Sequence, residues 1–138
     1  ESLRKVYYEC IGNPTTEEGI RQLKRQSPFF HADSIVAPLL VAQGQNDSRV
    51  RRTESDQIVV ALRNRGFPVE YIVAPNEGHG FYHPINKIAF IAAMEKFLAK
   101  HLGGRYQESM TDEVAKRLEE ITVDITTVEL PEGVGEGL

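Results

Sequence analysis

The sequence predicts an α/β fold in which parallel strands are joined by crossover helices. Two short apolar runs, residues 38–43 and 69–74, have the length and continuous apolar character of strands buried on both faces. A helical pattern lies between them at 52–65, and another follows at 86–102. Strands that alternate with helices in this way form parallel sheets. Because two strands are too few for a self-contained α/β core, we expect the sheet to be incomplete.

The chain before the first strand contains one ambiguous segment and one clear helix signal. Residues 1–13 form a short amphipathic stretch of undecided structure. Thr15 or Thr16 is a suitable N-cap for the helix that follows, because two acidic residues occupy its first turn. Pro28 disfavours a helical conformation at the residue before it, so this helix is predicted to end at Ser27.

The helix predicted at 52–65 connects the two strands. Ile58, Val59 and Leu62 recur at helical spacing and mark the face that packs on the sheet. Gly66 supplies the C-terminal stop. A connection of this length is what two parallel neighbours require.

The strongest helical pattern covers residues 86–102. Five of its apolar side chains are expected to face inward, namely Phe90, Ile91, Met94, Phe97 and Leu98. The pattern changes after Gly104, so residues 1–104 are predicted to form the main unit and 105–138 a C-terminal extension. Within the extension we expect a short helix beginning at Thr111 and then an extended or disordered tail.

Composition excludes several classes of function. The net charge of −4 is spread over 16 basic and 20 acidic residues, so no basic face indicates nucleic-acid binding. The longest apolar runs are far shorter than the about 20 residues that cross a bilayer. A single cysteine, Cys10, excludes an internal disulfide. Since the chain opens on Glu1 within what reads as running sequence, we expect it to be a piece of a longer protein.

Two loops carry the residues of chemical interest, "GQNDSRV" at 44–50 and "NEGHGF" at 76–81. Asp47 follows the first predicted strand and His79 follows the second, so both are expected at the same edge of the sheet. An aspartate there accepts a hydrogen bond from one imidazole nitrogen while the other nitrogen takes a proton. The pattern predicts a catalytic acid and base, joined by a hydrogen bond.

Simpler interpretations exist for each residue alone. Asp47 is suited to cap the helix that follows it, and His79 between two glycines is typical of a solvated loop residue. A metal site formed by Glu77, His79 and His83 is a further alternative, although glycines and a proline interrupt any helix that would place the three on one face.

No residue is a convincing nucleophile to complete the pair. An α/β-hydrolase needs a serine in Gly-x-Ser-x-Gly, upstream of the acid. The six serines all lack glycines two residues away on both sides; they are Ser2, Ser27, Ser34, Ser48, Ser55 and Ser109. Cys10 in "YECIG" has the right chain order for a cysteine nucleophile, but Tyr8 stands where the strained turn needs a glycine.

The run "SPFFHADSIVAPLLVAQGQNDSRV", followed by a helix, by "NEGHGF" and by a final amphipathic helix, resembles the C-terminal part of the catalytic domain of the prolyl oligopeptidase family. Within that family it is most similar to the dipeptidyl and acylaminoacyl peptidase type, over about residues 5–103. The resemblance implies the C-terminal portion of an α/β-hydrolase fold, with Asp47 as triad acid and His79 as general base. It also implies that Arg49 and Val50 brace the loop that carries the acid (residues 44–50, the acid loop). It implies further that the chemistry uses no cofactor or metal.

We therefore expect the C-terminal fragment of a serine-type peptidase, whose intact parent cleaves peptide substrates and whose isolated fragment is inactive because the serine is absent. One alternative is a fragment of a carboxylesterase or dienelactone-hydrolase-like enzyme, and another is a non-catalytic assembly or binding module. Neither nucleic acid nor membrane is expected as a partner. We expect a homo-oligomer, formed through the exposed edge of strand 38–43 or by exchange of the segment 105–130.

Overall fold

Two parallel strands form the centre of the structure, a computed structural model that describes residues 2–133. Strand β1 (Leu39–Gly44) pairs with strand β2 (Val69–Ala74) in a continuous register from one end to the other. The helices, in chain order, are α1 (Ser2–Cys10), α2 (Glu17–Gln26), α3 (Arg52–Asn64), α4 (Pro84–Leu102) and α5 (Asp112–Ile121), with 3-10 turns at Pro28–Ser34 and Ile125–Thr127. The alternation of strands and helices that the sequence predicts is confirmed.

Local capping residues determine where several helices begin and end. The side chain of Thr16 accepts a hydrogen bond from the backbone N–H of Gly19 at 3.1 Å, so Thr16 and not Thr15 is the N-cap of α2. Thr111 caps α5 in the same way, as predicted. After α3, Gly66 adopts a φ of 72°, a left-handed conformation that favours glycine and ends the helix.

The sheet has apolar side chains on both faces. On one face, Val59 and Leu62 of α3 pack against Val69, Tyr71 and Val73 of β2. On the other face, α4 and α5 pack against β2, where the buried members of the cluster are Ile72, Ala74, Ala89, Val114 and Ile121. The parallel pair therefore lies between two helical layers, as the crossover connection requires.

The two outer edges of the sheet differ. Along β2, the backbone N–H of Val123 donates to the carbonyl oxygen of Tyr71 at 2.9 Å, and Thr122 forms an antiparallel bridge with Ile72. The segment that follows is held by Arg63, whose guanidinium donates to two carbonyl oxygens of residues 125–128. Along β1, by contrast, no strand within residues 2–133 pairs with the outer edge.

Two expectations about burial are wrong. In α4, Ile91 and Leu98 are 40% and 44% exposed and do not face inward, while Ala89 is fully buried. The small Ala89 lets the helix approach the sheet closely, and α4 carries apolar side chains around more than one face. Strand β1 is only half-buried over much of its length, and Ala42 is exposed, because nothing within residues 2–133 covers its outer side.

The C-terminal extension packs onto the main unit as far as Val128, which is buried against α3 and β2. Part of the tail expected to be extended or disordered, residues 134–138, lies outside the described residues. Among the helices of the described part of the chain, none combines the length and the apolarity needed to cross a membrane.

Candidate active site

The carboxyl ends of β1 and β2 bring Asp47 and His79 together at one edge of the sheet. Nδ1 of His79 lies 2.9 Å from Oδ2 of Asp47. The contact that the sequence predicts is therefore present, and the geometry is that of an imidazole oriented by a carboxylate.

Both oxygens of Asp47 are used. While Oδ2 faces the imidazole, Oδ1 accepts hydrogen bonds from the backbone N–H of Arg49 at 2.8 Å and of Val50 at 3.0 Å. The bond from Val50 is the largest cause of a lowered pKa of Asp47, about 2; burial acts in the opposite direction, and His79 adds to the lowering. Asp47 is therefore ionised at neutral pH and able to stabilise an imidazolium.

The simpler interpretation of Asp47 as a helix cap is wrong. The N-cap residue of α3 is Arg51, which makes no capping hydrogen bond through its side chain. Asp47 instead stabilises the turn at 47–50. The two backbone N–H groups that donate to its carboxylate, those of Arg49 and Val50, both lie within that turn. Arg49 and Val50 brace the acid loop through their backbone N–H groups, in agreement with what the family resemblance implies.

His79 keeps one ring nitrogen available. Its side chain is 50% exposed, and within residues 2–133 its Nε2 makes no hydrogen bond. Donation to an ionised carboxylate places the proton on Nδ1, which leaves the lone pair of Nε2 free to accept a proton. The next residue, Gly80, has a φ of 138°, so the turn after His79 depends on glycine.

The acid loop (residues 44–50, with Asp47) and the base loop (residues 76–81, with His79) are joined directly to each other. Asn46 donates its backbone N–H to the carbonyl oxygen of Glu77 at 2.9 Å and its side-chain amide to that of Pro75 at 2.9 Å. Where the loops approach most closely, a Cβ atom on Gly44 would lie only 2.0 Å from the carbonyl oxygen of Gly78. Glycine at position 44 is therefore required for the two loops to meet.

Gln43 supports the acid loop from within the sheet. This buried side chain donates to the carbonyl oxygen of Val50 at 3.0 Å and accepts from Oγ of Ser55 at 2.7 Å. Sequence reasoning missed it. The available signal was a polar residue inside an otherwise apolar strand, since a buried amide requires hydrogen-bond partners.

Glu77 supports the base loop in a similar way. Its side chain is only 1% exposed and accepts hydrogen bonds from the backbone N–H groups of Tyr82 at 2.9 Å and His83 at 2.8 Å. Burial alone would raise the pKa of Glu77, but the hydrogen bonds outweigh it and lower the pKa to about 2. A charged carboxylate is tolerated here because its oxygens are bonded.

The proposed metal triad of Glu77, His79 and His83 does not assemble. Glu77 contacts Nδ1 of His83 at 3.0 Å, whereas His79 pairs with Asp47, so the residues form two separate pairs. Within residues 2–133, no three His, Cys, Asp or Glu side chains are grouped so as to hold a metal ion.

The position of Cys10 does not suit a nucleophile. Cys10 is the last residue of α1 and is exposed, whereas a nucleophile elbow requires a turn from a strand into a helix. Ser55 is engaged with Gln43. A cleft of about 540 Å³ opens beside the acid–base pair, with Ala42, Gly44, Asp47, His79, Phe81 and Phe90 among its lining residues.

The chain is similar to several known proteins. Residues 2–105 match the prolyl oligopeptidase family. Dipeptidyl aminopeptidase BIII of Pseudoxanthomonas mexicana is 50% identical over 95 residues, which are 69% of this chain and 14% of that protein. Dipeptidyl peptidase family member 6 of Caenorhabditis elegans is 44% identical over 105 residues, 75% of this chain and 14% of that protein. The acylamino-acid-releasing enzyme of Arabidopsis thaliana is 27% identical over 84 residues, 56% of this chain and 11% of that protein. The chain thus spans a small part of the length of these relatives.

Proposed function

The chain belongs to the prolyl oligopeptidase family, and from this premise we propose that it is the C-terminal part of an α/β-hydrolase catalytic domain in a serine peptidase. Residues 1–104 contribute the last strands and helices of that domain, and 105–138 extend it. The parallel order of β1 and β2, with helices on both faces, supports this placement.

In the proposed mechanism, Asp47 is the triad acid and His79 the general base. A serine outside this chain attacks the carbonyl of a peptide substrate, Nε2 of His79 takes its proton, and the same nitrogen then delivers that proton to the leaving amine. Asp47 holds the imidazole and stabilises the imidazolium between these steps. The observation that carries this proposal is the 2.9 Å contact between Asp47 and Nδ1 of His79, with Nε2 left free beside the cleft.

The isolated chain is expected to have no serine-hydrolase activity, because an acid and a base without a nucleophile do not form an acyl-enzyme. Incubation with a fluorophosphonate probe, followed by intact mass measurement, tests this expectation. Stoichiometric labelling of any serine would contradict it. Esterase turnover that is abolished by a thiol reagent would instead assign the nucleophile to Cys10.

A chimera tests the roles of the two residues. The matched segment of the Pseudoxanthomonas mexicana relative is replaced by the corresponding residues of this chain. We expect the chimera to hydrolyse dipeptidyl amides, and His79→Asn to lower kcat by at least about a thousandfold without weakening folding. His31→Asn serves as the control, since His31 is an exposed histidine whose one hydrogen bond within residues 2–133 is to the backbone carbonyl oxygen of Arg25.

The same chimera tests whether this chain can complete a peptidase. Because the serine comes from the relative, loss of amide hydrolysis with ester hydrolysis retained would favour the carboxylesterase or dienelactone-hydrolase-like interpretation of this segment. A folded chimera that is inactive on both substrates would favour a non-catalytic module. The names of the matched relatives, which are peptidases, support the first reading.

A further inference from the structure

A polar cluster, buried at Glu77 and Asn86 and open to solvent at Asn76, lies beneath the base loop and is not explained by the acid–base pair. Its members are Glu77 and Asn76 from the loop after β2, Asn86 from the first turns of α4, and Arg117 from α5. Glu77 and Asn86 are almost inaccessible to solvent. Buried polar groups of this kind are stable only when every donor and acceptor is satisfied, so each bond in the cluster constrains the others.

Glu77 fixes the chain on the far side of His79. Because its carboxylate accepts the backbone N–H groups of both Tyr82 and His83, the segment between Glu77 and His83 is closed into a loop with His79 inside it. Charge-assisted hydrogen bonds to a buried carboxylate are stronger than neutral ones. The orientation of Glu77 therefore controls the shape of the loop that presents the imidazole.

Asn86 orients Glu77, and Arg117 orients Asn86. Nδ2 of Asn86 donates to Glu77 at 2.7 Å, while its Oδ1 accepts from Nε of Arg117 at 2.6 Å. If the amide were reversed, its oxygen would face the carboxylate and its NH₂ group would face the guanidinium. Arg117 and the two acceptors of the NH₂ group, on Glu77 and Asn76, thus favour the same amide orientation, the one that donates to Glu77.

Arg117 also contacts the start of the base loop. Its Nη2 donates to Oδ1 of Asn76 at 2.8 Å, an oxygen that also accepts from Asn86 at 2.9 Å. Arg117 itself is held by Glu120 of the same helix at 2.9 Å. Helix α5 lies beyond residues 2–105, the segment that matches the family. Through Arg117, the C-terminal extension is therefore hydrogen-bonded to Asn76, the residue that precedes Glu77.

We propose that α5 positions the base loop, with Arg117 acting through Asn86 and Glu77 as a positioning residue for His79. This inference rests on the proposed function, in which His79 is the general base. It assigns to the C-terminal extension a part in the active site: without α5 the family-matched segment holds His79 less firmly against Asp47. Arg117 touches no reacting atom, so its effect is on the order of the loop.

The test uses NMR on the full chain and requires no catalytic activity. In Arg117→Leu, we expect the backbone amides of Tyr82 and His83 to exchange with solvent about tenfold faster or more. We also expect a smaller fraction of His79 rings with the proton on Nδ1, read from the ring ¹⁵N shifts. Arg117→Lys, whose single ammonium group lacks the planar fork of guanidinium, should give intermediate values.

Arg63→Leu is the matched control, because Arg63 also anchors the C-terminal extension but its guanidinium bonds to Asn64 and to residues 125–128, away from the base loop. It should leave both readouts within about twofold of the wild-type values. Wild-type readouts in a folded Arg117→Leu chain, or equal changes in Arg63→Leu, would overturn the proposal. If Arg117→Leu does not fold, wild-type readouts in Arg117→Lys overturn it. The catalytic role of His79 is tested separately, by His79→Asn in the chimera. Failure of the proposed function is therefore distinguishable from failure of this inference.

Discussion

Asp47 and Glu77 perform related tasks on neighbouring loops, since each uses a carboxylate to hold two backbone N–H groups. Asp47 was predictable from sequence because its position after a strand indicates a role. The sequence indicates Glu77 only as a possible metal ligand. The backbone N–H groups of Tyr82 and His83 reach its carboxylate only because of the way the following loop is folded. Gln43 was missed for the same reason.

These two carboxylates should make stability depend on pH in the acid range. The pKa falls from 3.8 to about 2 for Asp47 and from 4.5 to about 2 for Glu77, so between those values the unfolded chain binds more protons than the folded chain. Their contribution is complete above pH 4.5 and is lost as the pH falls toward about 2.

Glu77→Gln should therefore flatten this acid-range dependence. Thermal unfolding midpoints followed by circular dichroism across the acid range would measure the difference from wild type. Glu119→Gln, on the exposed side of α5, is the control that should keep the wild-type slope. If the unfolding midpoint of Glu77→Gln depends on pH as steeply as that of wild type, the carboxylate of Glu77 does not contribute to stability through its hydrogen bonds.

Gly44 allows a second comparison at the residue scale. In Gly44→Ala the new Cβ meets backbone, the carbonyl oxygen of Gly78 at 2.0 Å, so the two loops must separate. We expect a loss of about 1–3 kcal/mol in the free energy of unfolding, together with loss of the Asp47–His79 contact. Urea unfolding and the His79 ring ¹⁵N shifts are the measurements.

Gly78→Ala is the matched control for this prediction. Its Cβ would have only the carbonyl oxygen of Asn46 within reach, at 3.8 Å, and its φ is not positive. It should lose far less stability than Gly44→Ala. Equal losses in the two variants would show that glycine flexibility, and not the close approach of the loops, sets the requirement at position 44.

At the scale of elements, local signals predicted the helices and strands well. The strand at 69–74 was predicted at its observed bounds, and the other main elements within a few residues, because caps, prolines and apolar spacing act over one turn. The inward face of α4 was predicted poorly. Its apolar residues occupy several faces, and only the packing of β2 and α5 decides which of them is buried.

The cap of α2 gives a test at this scale. Thr16→Ala removes the acceptor for the N–H of Gly19 and should lower the free energy of unfolding by about 1 kcal/mol. Thr15→Ala, which removes only an exposed bond to Asn13, should cost less than about 0.5 kcal/mol. Chemical denaturation of the two variants distinguishes them, and the reverse order would assign the cap to Thr15.

At the scale of the whole molecule, the sequence predicts an incomplete sheet. In the structure, the outer edge of β2 is covered by another segment, whereas that of β1 has no paired strand within residues 2–133. The extension covers β2 through Thr122 and Val123, and it packs on its own chain. Exchange of the segment 105–130 between copies, which would re-form the same contacts with a second chain, stays a prediction. The position of this covering segment was not predictable, because it depends on Arg63 binding carbonyl groups far along the chain.

We propose that the isolated chain self-associates through the outer edge of β1. Within residues 2–133 that edge has no paired strand, and unpaired backbone groups on a strand edge recruit another chain. Exposed apolar side chains of α4 add surface that favours association; they are Ile88, Ile91, Leu98 and Leu102. Two copies paired edge to edge around a two-fold axis would satisfy the free groups of both.

Light scattering at micromolar concentration measures this directly, and the expected species is larger than the 15.5 kDa monomer. Ala42→Lys places a charge at an exposed position on β1, so it should shift the population toward monomer, since charged residues on an edge oppose strand pairing. Lys100→Ala, at the exposed ion pair with Glu70, changes charge away from that edge and should leave the mass unchanged.

A monodisperse wild-type monomer that unfolds cooperatively would refute edge pairing. A dimer that Ala42→Lys does not weaken would move the contact to the apolar face of α4, where Leu98→Lys would then be the disruptive change.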